Sequence, residues 1–474
     1  MADIPRTIVE AAQWLRSGRI SSAALTEALL GRAHAAQGTL AAFNVLTDEP
    51  ARAAARRADA DFAAGVDRGP LQGIPLGIKD IIATTDAPTT ANSRVLDPAW
   101  GAGHDATVVR KLRAAGAVLM GKLGLHEFAI GWPDPATGFS IPKNPWDTSR
   151  TPGGSSSGTG AAVAGGLVLG GLGTDTGGSI RGPAAYCGIS GLKATFGRVS
   201  KQGCVPLGYS LDHIGPMAHT ARDCAILLDI LAGYDPADPC AANVAVPDMQ
   251  ALMTMSGDAV GFRIGVPRDY FFTVPQLDSE IEAAVLVAVG LLESAGGVVE
   301  DVTIPHAAEA LIAQRVVMLS EAYAYHEPDL QARPELYGAY TRRTLQQGAL
   351  YSAADYVQAQ RVRSLVNQEC AAALAGMSVL VVPTGITTAP TFAEWDPDST
   401  FTNPSFTSIW NLTGLPALSV PCGFSSAGLP IGMQIVGKPF EEPRVLAVGD
   451  AYQRLTDWHT RVPGGDPVVE ASTV

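Results

Sequence analysis

Two serine-bearing, glycine-rich clusters lie close together in the first half of this 474-residue chain. Residues 153–158 read GGSSSG, and residues 173–181 read GTDTGGSIR. Serine is a weak nucleophile at neutral pH unless a base takes its proton, and a lysine can be that base when burial lowers its pKa. Lys79 ends an apolar segment, residues 73–80, that has the composition of a buried strand. The serines and the lysine together predict a site for acyl transfer.

These three segments resemble the amidase signature family, and the resemblance covers nearly the whole chain. In that family a lysine activates the nucleophilic serine through a second serine that bridges the two. Matched residue by residue, the resemblance implies Lys79 as the base, Ser155 as the bridging serine and Ser179, 24 positions later, as the nucleophile. It also implies a cis peptide bond between Gly154 and Ser155.

The backbone around the nucleophile is expected to stabilise the reacting group. Consecutive N–H groups of Thr176, Gly177, Gly178 and Ser179 are predicted to converge on the oxygen that becomes negative in the tetrahedral intermediate. One such donor is worth about 3 kcal/mol of transition-state stabilisation. We therefore interpret the two glycines as part of an oxyanion hole.

Five more residues complete the predicted site. Ser156, Asp175 and Arg181 are expected to support the loops rather than to react. Gly131 and Trp132 are candidates for substrate binding, because an indole at the mouth of the site offers a large apolar face. An apolar or aromatic substrate would suit that face.

A rival motif occupies the first cluster. Residues 154–158 satisfy G-x-S-x-G, the nucleophile elbow of α/β-hydrolases, with Ser156 as the nucleophile of an esterase and His459 late enough to be its base. The preceding residues 147–152, DTSRTP, predict a loop, whereas the elbow follows a buried strand.

The histidines give no sign of a metal site. None of the eight forms an H-x-x-x-H or H-E-x-x-H pair, so no metal and no other cofactor is expected. We interpret His126 and His213 as packed or surface residues.

The elements that must position the site follow from hydrophobic periodicity. Helical spacing predicts an N-terminal helical layer over about 1–65 and a helical cover over about 305–375. Between them, about 70–220 hold the glycine- and serine-rich catalytic core. We predict a single domain over 1–474 of the α/β class, a three-layer α/β/α sandwich with a large mixed central sheet.

Composition limits the partners and the compartment. The chain is 47% hydrophobic and 17% charged with a net charge of −13, which indicates a globular protein and disfavours nucleic-acid binding. The apolar residues 158–173 are too few to span a membrane. With no secretory signal visible at the N-terminus, a cytoplasmic location is expected. The oligomeric state stays open, with a homodimer as one option.

The sequence leaves two substrate assignments open. The preferred one is a stand-alone hydrolase of a small amide, aryl acylamide or carbamate, and residues 406–416, around Trp410, resemble such enzymes. The alternative is the glutaminase subunit of a tRNA-dependent amidotransferase, which residues 197–200 (GRVS) and 210–216 (SLDHIGP) resemble. Against that alternative, residues 126–133 read HEFAIGWP where such subunits tend to have DEFAMGSS.

Overall fold

Eleven strands in the described part of the chain form one mixed sheet. The structure is a computed structural model, and it describes residues 4–255, 261–396 and 398–464. The strand order across the sheet is β1-β3-β2-β4-β6-β5-β10-β11-β9-β7-β8. In chain order the strands are β1 (Phe43–Leu46), β2 (Pro75–Lys79), β3 (Val118–Leu123), β4 (Gly170–Asp175), β5 (Ser190–Lys193), β6 (His213–Ala218), β7 (Arg263–Pro267), β8 (Val298–Val302), β9 (Val379–Pro383), β10 (Ala417–Phe424) and β11 (Pro430–Val436).

Helices cover both faces of this sheet. Adjacent residues of a strand point to opposite faces, and in β4 the Gly170 position faces Ile8 and Leu227 while the Gly171 position faces Thr159. These neighbours belong to different helices, so the predicted three-layer α/β/α sandwich is confirmed. The helices are α1 (Ile8–Arg16), α2 (Ser22–Leu40), α3 (Asp48–Ala63), α4 (Thr107–Ala114), α5 (Ser157–Ala164), α6 (Arg181–Cys187), α7 (Ala221–Leu231), α8 (Met249–Met255), α9 (Ser279–Ser294), α10 (Ala307–Ala332), α11 (Ala339–Gln347), α12 (Ala353–Ala373), α13 (Ser399–Thr402), α14 (Ser408–Leu412) and α15 (Glu442–Leu455).

The pairing of β2 with β4 brings the lysine to the second serine cluster. The two strands run parallel, with Ile78 opposite Leu172, so their carboxyl ends meet at the same edge of the sheet. Ligands bind at such edges in open α/β sheets. Lys79 at the end of β2 therefore lies beside the end of β4, where the loop that carries Ser179 begins.

The N-terminal helices are anchored to the strand that carries the lysine. Ser21 caps α2 by accepting a hydrogen bond from the Ala24 N–H at 3.1 Å. The Ser22 hydroxyl donates to the carbonyl of Gly73, just before β2, at 2.9 Å. The start of α2 is thus fixed to the approach to the site.

The helices α10, α11 and α12 lie within the predicted helical cover, and α10 and α12 pack in a second hydrophobic cluster. That cluster includes Val317 of α10, Val366 of α12 and Leu380 of β9, all buried. The cover also contacts the catalytic loop directly, because Gln314 Nε2 of α10 donates to the carbonyl of Thr176 at 2.9 Å.

Candidate active site

Lys79 lies at the centre of the site and is completely buried. Its Nζ is 2.8 Å from Ser155 Oγ, 2.9 Å from Ser156 Oγ and 2.7 Å from Thr174 Oγ1. Burial lowers the pKa of Lys79 to about 7, since the nearby acidic groups only partly offset the desolvation of the ammonium. A neutral amine has two N–H donors and one lone pair, so three hydroxyl neighbours can satisfy it fully.

The surroundings of Ser156 help to determine which hydroxyl gives its proton to the lysine. Ser156 Oγ donates to the Thr174 carbonyl and accepts from the Thr174 N–H, both at 3.2 Å. Because its proton is already used, Ser156 accepts from Lys79 rather than donating to it. Ser155 and Thr174 are left as hydroxyls that can donate to the lysine lone pair, and of these Ser155 follows the glycine loop that borders the main cavity.

The same contacts argue against the nucleophile-elbow interpretation. Ser156 is fully buried at the N-terminal end of α5, and its hydroxyl is held between Lys79 and the backbone of β4. An elbow nucleophile has to be exposed to substrate. Ser156 is therefore a buried neighbour of the lysine rather than an exposed nucleophile.

The two serine clusters are joined through their backbones. The Ser156 N–H donates to the Ser179 carbonyl at 3.2 Å. The Gly154–Ser155 peptide bond is cis, as the resemblance implies. Ser155 is buried, whereas Ser179 is partly exposed and lines the main cavity beside Gly177. Ser179 is thus the serine of the predicted triad that a substrate can reach.

The predicted oxyanion hole needs two corrections, and the first is that Thr176 does not line the main cavity. The second is that the Gly178 N–H donates to Asp175 Oδ1 at 2.8 Å, so it is not free to bind an oxyanion. Gly178 has φ +133°, and a Cβ there would overlap the Thr407 hydroxyl, so only glycine fits. Within the described chain, the N–H groups of Gly177 and Ser179 have no protein acceptor and border the cavity.

A buried ion pair holds the loop in this shape. Arg181 donates to both carboxylate oxygens of Asp175, at 3.0 and 2.9 Å, and both side chains are fully buried. Burial alone would raise the pKa of Asp175, but the Arg181 guanidinium holds it well below its ordinary value. Asn411 of α14 completes the network by donating to Asp175 Oδ1 at 2.8 Å and accepting from Arg181 Nη2 at 2.6 Å. This network joins Asp175 and Arg181 of the catalytic loop to α14.

The main cavity has a volume of about 480 Å³ and opens over Ser179. Its wall combines hydroxyl, amide and charged groups with aromatic side chains, which are those of Tyr186, Tyr340, Trp395 and Phe406. The volume and the lining of this cavity suit a small organic ligand.

The two predicted substrate contacts do not line this cavity. Trp132 packs behind the wall, with its ring centroid 3.9 Å from that of Trp395 and 5.8 Å from that of Tyr340. Gly131 is buried, and a Cβ there would approach Thr341 and Glu127 closely. An indole does line the site, but it comes from position 395, 263 residues further along the chain.

Trp410 does not contact the cavity either. It is completely buried and stacks on Phe271, with centroids 5.7 Å apart and planes 8° from parallel. Its segment contributes to the site through Thr407, whose hydroxyl donates to the Gly177 carbonyl at 2.6 Å, and through Asn411.

His126 and His213 are both buried, and His126 lies against the site. His213 Nδ1 is 2.7 Å from the Leu211 carbonyl, and burial lowers its pKa well below the usual value. The ring of His126 packs on Gly154, where a Cβ would overlap the imidazole. Among the described residues, no group of three or more His, Cys, Asp or Glu side chains is arranged to hold a metal ion.

Several residues of the site have no signal in the motifs. Thr174 lies within the second serine cluster, residues 173–181, but no feature of that cluster marks it as a partner of Lys79. Gln314, Trp395 and Asn411 come from segments more than 130 residues away from the loop they contact or border. Only folding brings these side chains to the catalytic loop.

No helix of the described residues combines the length and apolarity needed to cross a membrane. Residues 158–173 form most of α5, the turn after it and the start of β4.

Comparisons with known proteins give a consistent picture. A model of the family described as Amidase matches residues 24–446. The A subunit of glutamyl-tRNA(Gln) amidotransferase from Chloroflexus aurantiacus is 44% identical over an alignment of 489 residues, which covers 98% of this chain and 99% of that protein. The structure of peptide amidase from Stenotrophomonas maltophilia matches with a TM-score of 0.85 at 31% identity, covering 97% of this chain and 99% of that one. The corresponding amidotransferase subunit from Thermotoga maritima matches with a TM-score of 0.79 at 32% identity, covering 96% of each chain.

Proposed function

The chain belongs to the amidase signature family, whose members act on carbon–nitrogen amide bonds, and we propose that it cleaves its substrate through an acyl-enzyme on Ser179. The observation that carries this proposal is the hydrogen-bond set of Lys79, which places the Ser155 hydroxyl against a buried amine while the proton of Ser156 is used elsewhere.

The proposed reaction has two stages. Neutral Lys79 accepts the Ser155 proton while Ser155 accepts the proton of Ser179, and Ser179 Oγ attacks the amide carbon. The oxyanion lies against the N–H groups of Gly177 and Ser179, and the proton held by Lys79 returns through Ser155 to the leaving nitrogen. Water then attacks the acyl-enzyme with the same proton relay, which releases the acid and regenerates Ser179.

Trapping the acyl-enzyme tests this assignment. Quenching the reaction in acid and digesting the protein should give a mass increase on the peptide that holds Ser179. Ser179→Ala should lose the adduct, whereas Ser399→Ala, which changes another serine of the cavity wall, should keep it. An adduct on any other residue contradicts the mechanism.

The comparison with relatives favours a different substrate from the one that the sequence alone favoured. The sequence alone favoured a stand-alone hydrolase, but a curated relative at 44% identity over nearly the full chain is named as the A subunit of glutamyl-tRNA(Gln) amidotransferase. We infer that glutamine is the substrate and that the ammonia passes to an amidotransferase of which this chain is one component. The net charge of −13 then fits a chain whose partner, rather than itself, binds the tRNA. This replaces the expectation that the only partner is a small molecule.

The charges of the cavity are compatible with glutamine. Within the described residues, Arg315 and Glu394 are the charged side chains that line it. Glutamine carries an α-carboxylate and an α-ammonium group, and one cation and one anion can bind the two ends. Arg315→Met should then raise KM for glutamine while leaving KM for butyramide, which has no carboxylate, nearly unchanged. Arg343→Met changes an exposed arginine of α11 and is the matched control.

One observation favours the stand-alone alternative. The aromatic wall formed by Trp395, Tyr340 and Phe406 suits an anilide or aryl carbamate better than it suits an amino acid. If the purified chain hydrolyses such a substrate faster than glutamine without an added partner, the stand-alone function is correct. Trp395→Ser should then raise KM for the aromatic substrate more than Trp132→Ser does, because Trp132 lies behind it.

A further inference from the structure

A small cavity lies beside His126, separate from the main cavity over Ser179. Its volume is about 10 Å³, close to the least space that holds one water molecule. His126 and Ser157 both line it.

Two buried polar atoms of these side chains lack a partner within the described chain. They are His126 Nε2 and Ser157 Oγ, and the residues are only 8% and 2% exposed. Leaving a buried polar group unsatisfied costs about 1–3 kcal/mol, and native proteins usually avoid that cost with a partner or an ordered water.

The hydrogen-bonding role of the imidazole follows from its surroundings. Burial, with Lys79 nearby, lowers the pKa of His126 to about 3, so the ring is neutral. Its other contact is with the backbone of Gly131. We assign the proton to Nδ1, on the side of the Gly131 backbone, because Nε2 is the ring nitrogen without a partner in the described chain. Nε2 therefore presents a lone pair and needs a donor.

We propose that one ordered water bridges His126 Nε2 and Ser157 Oγ, and that His126, fixed in this way, is a positioning residue for Ser155. The water donates one hydrogen to Nε2 and exchanges a hydrogen bond with the Ser157 hydroxyl. Both of the unpartnered atoms are then satisfied without any rearrangement of the chain.

The imidazole acts on Ser155 through its contact with the neighbouring backbone. Its ring lies against Gly154, and the backbone N–H of His126 donates to the Ser155 carbonyl at 3.1 Å. Ser155 Oγ must reach Lys79 Nζ at 2.8 Å. If the His126 ring tilted away from Gly154, the backbone that sets the distance between Ser155 Oγ and Lys79 Nζ would loosen. Small misplacements of catalytic groups cost up to about 100-fold in rate. The inference rests on the proposed role of Ser155 in proton transfer.

Two variants test the proposal by kinetics. Ser157→Ala removes one partner of the water, and we expect kcat to fall about 3- to 10-fold with KM and the midpoint of the pH profile unchanged. Ser157→Thr keeps the hydroxyl and should restore kcat. His126→Phe keeps the ring volume but removes Nε2, and we expect kcat to fall about 10- to 100-fold. A wild-type kcat in His126→Phe would overturn the proposal.

A crystal structure at high resolution gives the second readout. The wild type should show a water peak within hydrogen-bond distance of both atoms, and Ser157→Ala should lose or displace it. A direct contact between the two side chains, or an empty cavity in the wild type, would refute the water. Trapping of the acyl-enzyme on Ser179 does not depend on the water or on His126. A failure of the trapping experiment therefore contradicts the proposed mechanism, whereas a failure of the water and variant experiments contradicts only the role of His126.

Discussion

Proton loss from Lys79 should control the rate of acylation. Its pKa of about 7 comes from complete burial, and only the neutral amine can accept the proton of Ser155. At pH 5 about 1% of such a lysine is neutral, and at pH 8 about 90% is. We therefore expect kcat/KM to rise roughly tenfold per pH unit below pH 7, to level off above it, and to differ about 90-fold between pH 5 and pH 8.

The assay measures kcat/KM from pH 5 to 9.5, because this ratio reports the ionisation of the free enzyme. Ammonia release from glutamine, or release of nitroaniline from an anilide, provides the signal. Lys79→Met should remove both the activity and the pH dependence. A profile that is flat between pH 5 and 8, or a midpoint that survives in Lys79→Met, refutes the role of Lys79 as the base.

Lys122 provides the matched control. It is a second buried lysine, on the neighbouring strand β3, but its Nζ contacts Asp80 and Thr89 rather than the catalytic serines. Lys122→Met is expected to lower stability while the midpoint of the pH profile stays the same.

Stability gives an independent check on the pKa of Lys79. The folded-state pKa lies below the ordinary value of 10.5, so between about pH 7 and 10.5 the unfolded chain binds more protons than the folded one. The contribution of Lys79 to the free energy of unfolding therefore rises with pH in this window. Lys79→Met should reduce that rise in urea-unfolding experiments at a series of pH values.

Three further predictions concern the nucleophile, the supporting ion pair and a buried carboxyl. Ser179→Ala should abolish turnover while Ser155→Ala keeps a small residual activity, and equal residual rates in a sensitive amide assay would contradict their different roles. Arg181→Met should lower the free energy of unfolding by about 3–5 kcal/mol, because it leaves Asp175 as an uncompensated buried charge; a loss below about 1 kcal/mol in urea unfolding would show that the pair is not structurally important. Burial raises the pKa of Asp223 to about 7, so between about pH 4 and 7 the folded chain binds more protons and stability falls with pH. Asp223→Asn should remove this fall, and an unchanged slope of Tm against pH would refute the assignment.

Local sequence indicated a site for acyl transfer. Glycine-rich loops next to serines and a lysine at the end of an apolar run are local features, and the resemblance to the amidase signature family selected Lys79, Ser155 and Ser179 among them. The parallel pairing of β2 with β4 then brings the ends of the two strands to one edge, as expected for an α/β sheet. The triad roles themselves stay a prediction until the acyl-enzyme is trapped.

The substrate wall was not predictable in the same way. Trp132 was expected at the mouth of the site, yet Trp395 lines the cavity and Trp132 packs behind it. Hydrophobic pattern indicates that an indole is near other apolar groups, but it does not indicate which of two neighbouring rings faces the cavity. That depends on how the segment around Trp395 packs against Trp132, which itself contacts Tyr340 of α11.

Sequence by itself therefore determined the fold class and the types of reacting groups, because strand and helix periods and loop glycines act over a few residues. Tertiary structure alone decided how those groups are used. It directs the Gly178 N–H to Asp175 and away from the oxyanion hole, and it brings Asn411 to Asp175 across 236 positions of the chain. Such contacts depend on the packing of whole helices against the sheet, and no short pattern in the chain encodes that packing.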